Sequence, residues 1–443
     1  MKLPGLTIGI VADDLTGAND AALPFFLHGS PTTVLLSPRA LVEADSHVWV
    51  VNTDSRHMEP REAAQVTRRA IDLLRNEYGV DNFYKKMDST LRGPVAAECL
   101  AALEELKWDC AVIAPALPQE GRRTVGGYQL VRGMPVEQTE VARDPLAPVR
   151  QSHIPTLLAQ TVGPEMVGHI ELSTILHGAG PIYVALSELI KQGKKLIVAD
   201  ACSNVDVEQI ALAIENARKT FKVLPCGSAG LAKALTKFWT GDAPEPWPVK
   251  LAPSPTLVVV GSATQTTRHQ LRQLIEHYPY YGEGSRLMVI HLTAEQVLGL
   301  APLEAERVLA LEAMGDNNTV VLTTSLDDHA LNDTLELAEQ HQIPPQNASR
   351  LALERLSVLV QSLIAEKPSK LILSGGETAT QICRALGCQS LRMVAEVEPS
   401  IPLTVDSSGD SPRWIVTKSG NLGSPLALAN IVRTLKQLES RDD

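Results

Sequence analysis

Residues 371–382 read LILSGGETATQI, and the organisation of the chain follows from this stretch. Leu371, Ile372 and Leu373 form a short apolar run that stops at Ser374, Gly375 and Gly376; Glu377 to Ile382 then resume with helix-tolerant residues and an acid in the first turn. That pattern predicts strand, tight turn and helix. Two glycines at such a turn let the backbone approach a ligand closely, and the first N–H groups of the helix have no intrahelical partner. Anions are favoured at that position. One helix terminus contributes only about 0.3–2 kcal/mol, so a nucleotide reading also requires Mg2+ and donors from elsewhere in the chain. A lone GG pair also fits an ordinary strand-to-helix turn, and the rest of the sequence must decide between the two.

The same punctuation recurs in the first half. Residues 6–12 (LTIGIVA) run into Asp13, Asp14, Leu15, Thr16, Gly17, Ala18, Asn19 and Asp20. Carboxylates placed directly after a strand lie at the carboxyl edge of an α/β sheet, where ligands bind in such folds. Asp14 or Thr16 also suits the cap of the following helix, yet two acids and a glycine exceed what a cap requires. Residues 48–52 (VWVVN) end in Thr53, Asp54, Ser55 and Arg56, and the strand over 82–85 leads into KKMDSTLRGP at 85–94. Lys85, Lys86, Asp88, Ser89, Thr90 and Arg92 within eight residues favour a site over a solvated loop. After a strand at 112–114, PALPQEGRR offers Arg122 and Arg123 as planar forks for carboxylate or phosphate, while Gly121, Gly126 and Gly127 break any helix. Residues 157–167 and 178–191 are broken helical stretches around 169–171, and the strand at 196–199 closes on Asp200. PCGSAGLAKAL at 225–235 sets glycines before a helix but lacks P-loop spacing.

Residues 241–255 (GDAPEPWPVKLAPSP) are proline-rich and aperiodic, the composition of a stiff connector. Beyond it, TLVVV at 256–260 ends in Gly261 and Ser262, further strands fall at 288–292, 319–323 and 371–373, and helices intervene. Strand–helix alternation makes a parallel sheet the default. WIVT at 414–417 closes on KSGNLG, which carries Gly420. The expectation is two α/β domains with mostly parallel sheets, 1–240 and 256–443, joined by 241–255 as linker.

Composition removes several alternatives. At 443 residues the chain exceeds one ordinary core, and its formal charge of −11 argues against nucleic-acid or membrane-surface partners. The six cysteines form no C-x-x-C pair and suit a reduced, cytoplasmic protein. There is no HExxH or Cys/His cluster, so a metal held by protein ligands is not expected. No signal-peptide core or membrane-length apolar run is visible.

ADDLTGAND at 12–20 together with KKMDSTLRG at 85–93 resembles the four-carbon acid sugar kinase family, and GGET at 375–378 is similar to its nucleotide loop. The PALPQEGRR stretch, Asp200 and KSGNLG also resemble family elements, with Leu422 where many relatives carry phenylalanine. The resemblance implies phosphorylation of a tetronate such as threonate or erythronate by ATP with Mg2+, with residues 1–240 as the acid-sugar domain, 256–443 as the nucleotide domain and an active-site cleft between them. It implies acid-sugar contacts from Asp13, Asp14, Arg56, Lys86, Met87, Asp88 and Ser89, and nucleotide contacts from Ser262, Gly375, Gly376, Glu377, Thr378 and Gly420. On this reading Arg56 and Lys86 hold the substrate carboxylate while an aspartate, Asp14 or Asp88, positions or deprotonates the terminal hydroxyl. Two other classes compete. A sugar-acid sensor would use the same first domain but would not need phosphate turns in the second, and a nicotinamide enzyme would need a G-x-G-x-x-G that is missing. The sequence leaves open the choice of acid and the oligomeric state, with a homodimer compatible.

Overall fold

The strand Ile8–Ala12 (IGIVA) is buried along its whole length, as an apolar run covered on both sheet faces should be. It pairs in parallel with Val48–Asn52 on one side and Asn82–Lys86 on the other. The structure is a computed structural model and describes residues 7–40, 42–144, 147–241, 249–261, 264–281, 285–324, 326–409 and 411–440. The chain divides into two compact units, Met1–Glu245 and Pro246–Asp443. Both are α/β.

In the first unit the strands lie in the spatial order Thr32–Leu35, Val48–Asn52, Ile8–Ala12, Asn82–Lys86, Val223–Gly227, Cys110–Ala114, Leu196–Ala199, Val167–Ile170. Every neighbouring pair is parallel. Helices cover the sheet and enclose a core that includes Val11, Val51, Ile71, Leu74, Phe83 and Ile113. Each such fully buried side chain contributes about 1.5–3 kcal/mol. The helix Leu15–Leu27 starts at Asp14, whose side chain accepts from the Gly17 N–H. The helix Asn204–Ala217 carries a reciprocal capping box of Ser203 and Asp206.

In the second unit the order is Leu287–His291, Thr319–Thr323, Thr256–Val260, Lys370–Ser374, Arg413–Lys418, Ile401–Asp406, Ser390–Glu398. The first five run parallel, and the last two form an antiparallel hairpin at one side. Its core includes Val258, Leu271, Ile372, Val416, Ile431 and Leu435. Residues 249–255 lie against this unit, with Leu251 in its core and Ser254 bonded to Glu439 and Lys370. The remainder of the proline-rich connector, 242–248, lies outside the described residues.

Two expectations needed correction, and the strand Val223–Gly227 is an addition to the elements read from sequence. The 169–171 interruption between helices is the strand Val167–Ile170. The glycine-broken stretch after Pro118 folds into a three-stranded antiparallel sheet of Arg122–Val125, Tyr128–Val131 and Met134–Pro135. Among the described residues no helix is long and apolar enough to cross a membrane, and all six cysteines are free thiols.

Candidate active site

Three adjacent strands of the first unit end level with one another, Ala12 lying beside both Asn52 and Lys86. The segments leaving them, which carry Asp13 and Asp14, Ser55 and Arg56, and Met87 to Ser89, therefore emerge side by side. The backbone fixes this meeting, because the N–H groups of Ser55 and Arg56 both donate to the Asp13 carbonyl. Arg56 is then the centre of a buried charge cluster. Its Nε donates to Asp13 Oδ2 at 2.9 Å, its Nη2 donates to Asp14 Oδ1 at 2.6 Å, and Asp88 Oδ1 stands 3.8 Å from Nη2. Asp88 also receives Arg92 Nε at 2.9 Å and the Thr90 hydroxyl, and Arg92 reaches Asp144 at 3.2 Å. Burial alone would raise the Asp13 and Asp88 carboxyls. For Asp13 that effect is outweighed by Arg56, Lys86 and Lys85, which hold it below the usual carboxylate value. For Asp88, Arg92 and Arg56 do the same more strongly, and the carboxyl sits well below it.

The two adjacent lysines differ. Lys85 is an internal brace: its Nζ pairs with Glu98 Oε2 at 3.0 Å, and the Ser55 hydroxyl donates to Glu98 Oε1. This ties the strand Asn82–Lys86 to the helix Val95–Leu106. Lys86 is equally buried, yet its Nζ donates only to the Met87 carbonyl, at 2.8 Å, and forms no ion pair among the described residues. An ammonium carries three donors, so two remain for a ligand. Gly17 lies against this ammonium; a Cβ there would stand 2.9 Å from Lys86 Nζ and 2.4 Å from Asp14 Oδ1. Met87 turns its side chain into the core and presents only backbone. Ser89 is buried, and its carbonyl accepts from Gln129 Nε2 at 2.7 Å, which links this loop to the small antiparallel sheet.

Asp200 is fully buried and already saturated. Its oxygens accept from the N–H groups of Gly126, Gly127 and Leu172, and His169 Nε2 lies 2.9 Å from Oδ1. It fixes the Gly126–Gly127 turn and keeps no lone pair free for a ligand. Arg122 is different, because its Nε is buried with no hydrogen-bond partner.

In the second unit Val260, Ser374 and Lys418 lie level on three adjacent strands. Ser262 lies outside the described residues. Gly375 adopts φ +115°, and its N–H donates to the Lys418 carbonyl at 2.8 Å. The helix Gly376–Ala385 begins there without any side-chain cap, since its cap residue is a glycine. The cap residue thus offers no side-chain acceptor to the start of this helix. Ser374 Oγ, at the same strand end, is buried with no partner. Glu377 is exposed and Thr378 buried. The loop carrying Gly420 is held by its carbonyls: Thr264 and Thr267 hydroxyls donate to Gly420 O at 3.0 and 2.7 Å, and Gln270 Nε2 donates to Leu422 O and Ser424 O. Lys418 Nζ donates to Ser419 O at 2.7 Å and Leu422 O at 3.2 Å. Burial of this ammonium pushes Lys418 down to about 7.

Sequence reading did not single out Glu98, Thr267 or Gln270. The one available signal was the spacing of Thr267 and Gln270, two polar residues three apart on the helix Gln265–Tyr281 that are both buried. Among the described residues no group of three or more His, Cys, Asp or Glu could hold a metal ion.

Comparison with known proteins bears on both halves. A family profile described as a sugar-binding N-terminal domain matches residues 8–235, and one described as a nucleotide-binding C-terminal domain matches 257–428. The chain is 31% identical to a D-threonate kinase of Salmonella typhimurium, over 98% of this chain and 99% of the other. It is 30% identical to a D-erythronate kinase of Heliobacterium modesticaldum, with 96% and 95% covered, and 27% identical to a 3-oxo-tetronate kinase of Cupriavidus necator, with 94% of each covered. A solved Haemophilus influenzae protein shares the fold, with TM-score 0.72 and 23% identity over 96% of this chain and 100% of that one. Matches to both domain profiles and near full-length similarity to three kinds of tetronate kinase lead to one assignment: the chain belongs to the four-carbon acid sugar kinase family.

Proposed function

We propose that this protein transfers the γ-phosphoryl group of ATP to the terminal (4-) hydroxyl of a four-carbon sugar acid, D-threonate or D-erythronate. The observation that carries the substrate half is Lys86, a buried ammonium with two unspent donors beside the Arg56 cluster. Burying an ammonium is costly when the nearby carboxylates, Asp13 and Asp20, make no direct ion pair with it, so an anionic ligand completes this site. Arg56 retains Nη1 for the same carboxylate, and Asp13, Asp14 and Asp88 hold the guanidinium in place. Identity is 30–31% to the threonate and erythronate kinases and 26–27% to the oxo-tetronate kinases, which supports the reduced acids.

The nucleotide half rests on the second unit. The uncapped helix start at Gly376 and the orphaned Ser374 hydroxyl fit phosphate oxygens, and the pinned loop at Gly420 provides a rigid neighbour. Mg2+ binds readily through phosphates and water with few protein ligands, which is compatible with the lack of a carboxylate cage among the described residues. Together ATP and Mg2+ supply the transferable phosphoryl group and neutralise its charge. The residues of this chain orient the acid, exclude water from the Arg56 cluster and fix the phosphate turn.

The direct test is ADP release by the purified protein with ATP and Mg2+ against a panel of four-carbon sugar acids. Turnover with threonate or erythronate is expected; ATP binding without turnover on any acid would favour a sensor and overturn the kinase reading.

Gly17→Ala tests the acid site separately. Overpacking of about 1–3 kcal/mol against Asp14 and Lys86 is expected to raise KM for the sugar acid by up to roughly 5- to 150-fold while leaving KM for ATP unchanged. An unaltered KM for the acid would place the acid elsewhere.

A further inference from the structure

The helix Leu15–Leu27 is sunk into the first unit. From Leu15 to Leu23 every residue is buried except Asp20, which keeps partial access to solvent. Asp14, Gly17 and Asp20 are spaced three apart and so lie along one ridge of the helix. Gly17 leaves the middle of that ridge open, and the Lys86 ammonium occupies the space next to it. Asp20 therefore stands one turn beyond Gly17, on the row that faces Lys86.

The other carboxylates of the cluster are committed. Asp14 Oδ1 accepts from Gly17 N and Arg56 Nη2, and its Oδ2 accepts from Thr16 Oγ1 at 2.6 Å. Asp88 is held by Arg92, Thr90 and Arg56, and Asp13 by Arg56. A carboxylate that spends its lone pairs on guanidinium donors is a weak proton acceptor. Asp20 accepts no hydrogen bond among the described residues. The charged groups facing it are the Lys86 ammonium, the Asp14 carboxylate, the Arg122 guanidinium and the Glu120 carboxylate. They come from the end of the strand Asn82–Lys86, the cap of its own helix, the strand Arg122–Val125 and the turn Pro118–Glu120. Arg122 adds a second sign of an unfinished site, because its Nε is buried without a partner.

We propose that Asp20 is the catalytic base of the kinase reaction and that Arg122, opposite it, contacts the same substrate. The proposal rests on the kinase reading above. The substrate O–H bond breaks as its oxygen bonds to the γ-phosphorus, and the P–O bond to the β-phosphate breaks with its electron pair leaving on ADP. The proton passes to a carboxylate oxygen of Asp20 and is later released to water. Loss of solvent around Asp20 outweighs the Lys86 charge and pushes its carboxyl up to about 7, within the range where a general base is most effective.

The test compares wild type, Asp20→Asn and Asp20→Glu in the full chain, reading kcat, KM and their pH dependence. Wild-type kcat is expected to rise with pH through about 7, as Asp20 ionises. In Asp20→Asn, kcat should fall by about 10²- to 10⁴-fold with both KM values within a few-fold, and the rise near 7 should vanish. Asp20→Glu should recover part of the rate and a displaced rise. An Asp20→Asn protein that keeps the same pH rise, whatever its rate, overturns the assignment of Asp20 while wild-type turnover leaves the kinase reading standing. A wild type that turns over no sugar acid overturns both.

Stability supplies a readout independent of turnover. Between the ordinary value of 3.8 and about 7 the folded protein holds a proton that the unfolded chain has lost, so stability falls as pH rises across that window. Asp20→Asn removes that slope and is expected to melt above wild type at pH 8 and together with it below about 3.8. Coincident melting curves at pH 8 would contradict a desolvated Asp20.

Discussion

Replacing Arg56 by alanine is expected to abolish phosphoryl transfer and to cost about 3–5 kcal/mol of stability in the first unit. Arg56 is nearly inaccessible to solvent, and three carboxylates, Asp13, Asp14 and Asp88, lie within 4 Å of its guanidinium. Removal leaves those acids buried and facing one another, and some must take up protons or draw in water. Loss of an ion partner in such a setting costs far more than a surface pair is worth, because the desolvation remains while the compensation is gone. Arg56→Lys is not expected to restore the wild type, since one ammonium cannot reproduce the separate Nε and Nη2 bonds to Asp13 and Asp14. Urea unfolding of both variants, followed through the transition of the first unit, checks the stability claim. A loss below about 1 kcal/mol would mean that the cluster behaves like an exposed salt bridge.

Gly375→Ala is the second large effect, this time on nucleotide binding. At φ +115° a side chain is strained, at a cost of about 1–3 kcal/mol. The turn can relieve that strain only by rotating Gly375, whose N–H is bonded to the Lys418 carbonyl, and so by shifting the start of the helix Gly376–Ala385. ATP affinity measured by titration calorimetry is expected to fall by about 10- to 100-fold, each factor of ten corresponding to about 1.4 kcal/mol. Affinity for the sugar acid should be unchanged. Wild-type ATP affinity in this variant would remove the Gly375 turn from the nucleotide site.

The residues that meet in the first unit were legible because each follows directly after a strand. Ile8–Ala12 and Val48–Asn52 are short apolar runs and Asn82–Lys86 (NFYKK) is a short buried strand with an aromatic centre, and the polar residues after them fall at one sheet edge once the strands are parallel and level. What sequence does not give is which strands are neighbours, and hence that Arg56 meets Asp13 and Asp14. That pairing joins residues more than forty positions apart. The weaker strands Val167–Ile170 and Val223–Gly227 were missed for a different reason. Four or five residues containing glycine or proline carry too little periodicity to separate a strand from a helix boundary. Arg122–Val125 and Tyr128–Val131 were hidden by the Gly126–Gly127 pair, which breaks a helix but serves as the turn between two antiparallel strands. The contrast between Lys85 and Lys86 was also beyond sequence. Adjacent residues on a strand point to opposite faces, so one lysine meets Glu98 in the interior and the other faces Gly17.

The proposed acceptor of the phosphoryl group is the terminal hydroxyl of a sugar acid. Phosphorus–proton correlation NMR of the product formed from D-threonate or D-erythronate with ATP tests it most directly. Transfer to that hydroxyl gives a phosphorus resonance coupled to the two protons on C4. Coupling to a proton on C2 or C3, an acyl phosphate at the carboxylate, or inorganic phosphate as the sole product would contradict it.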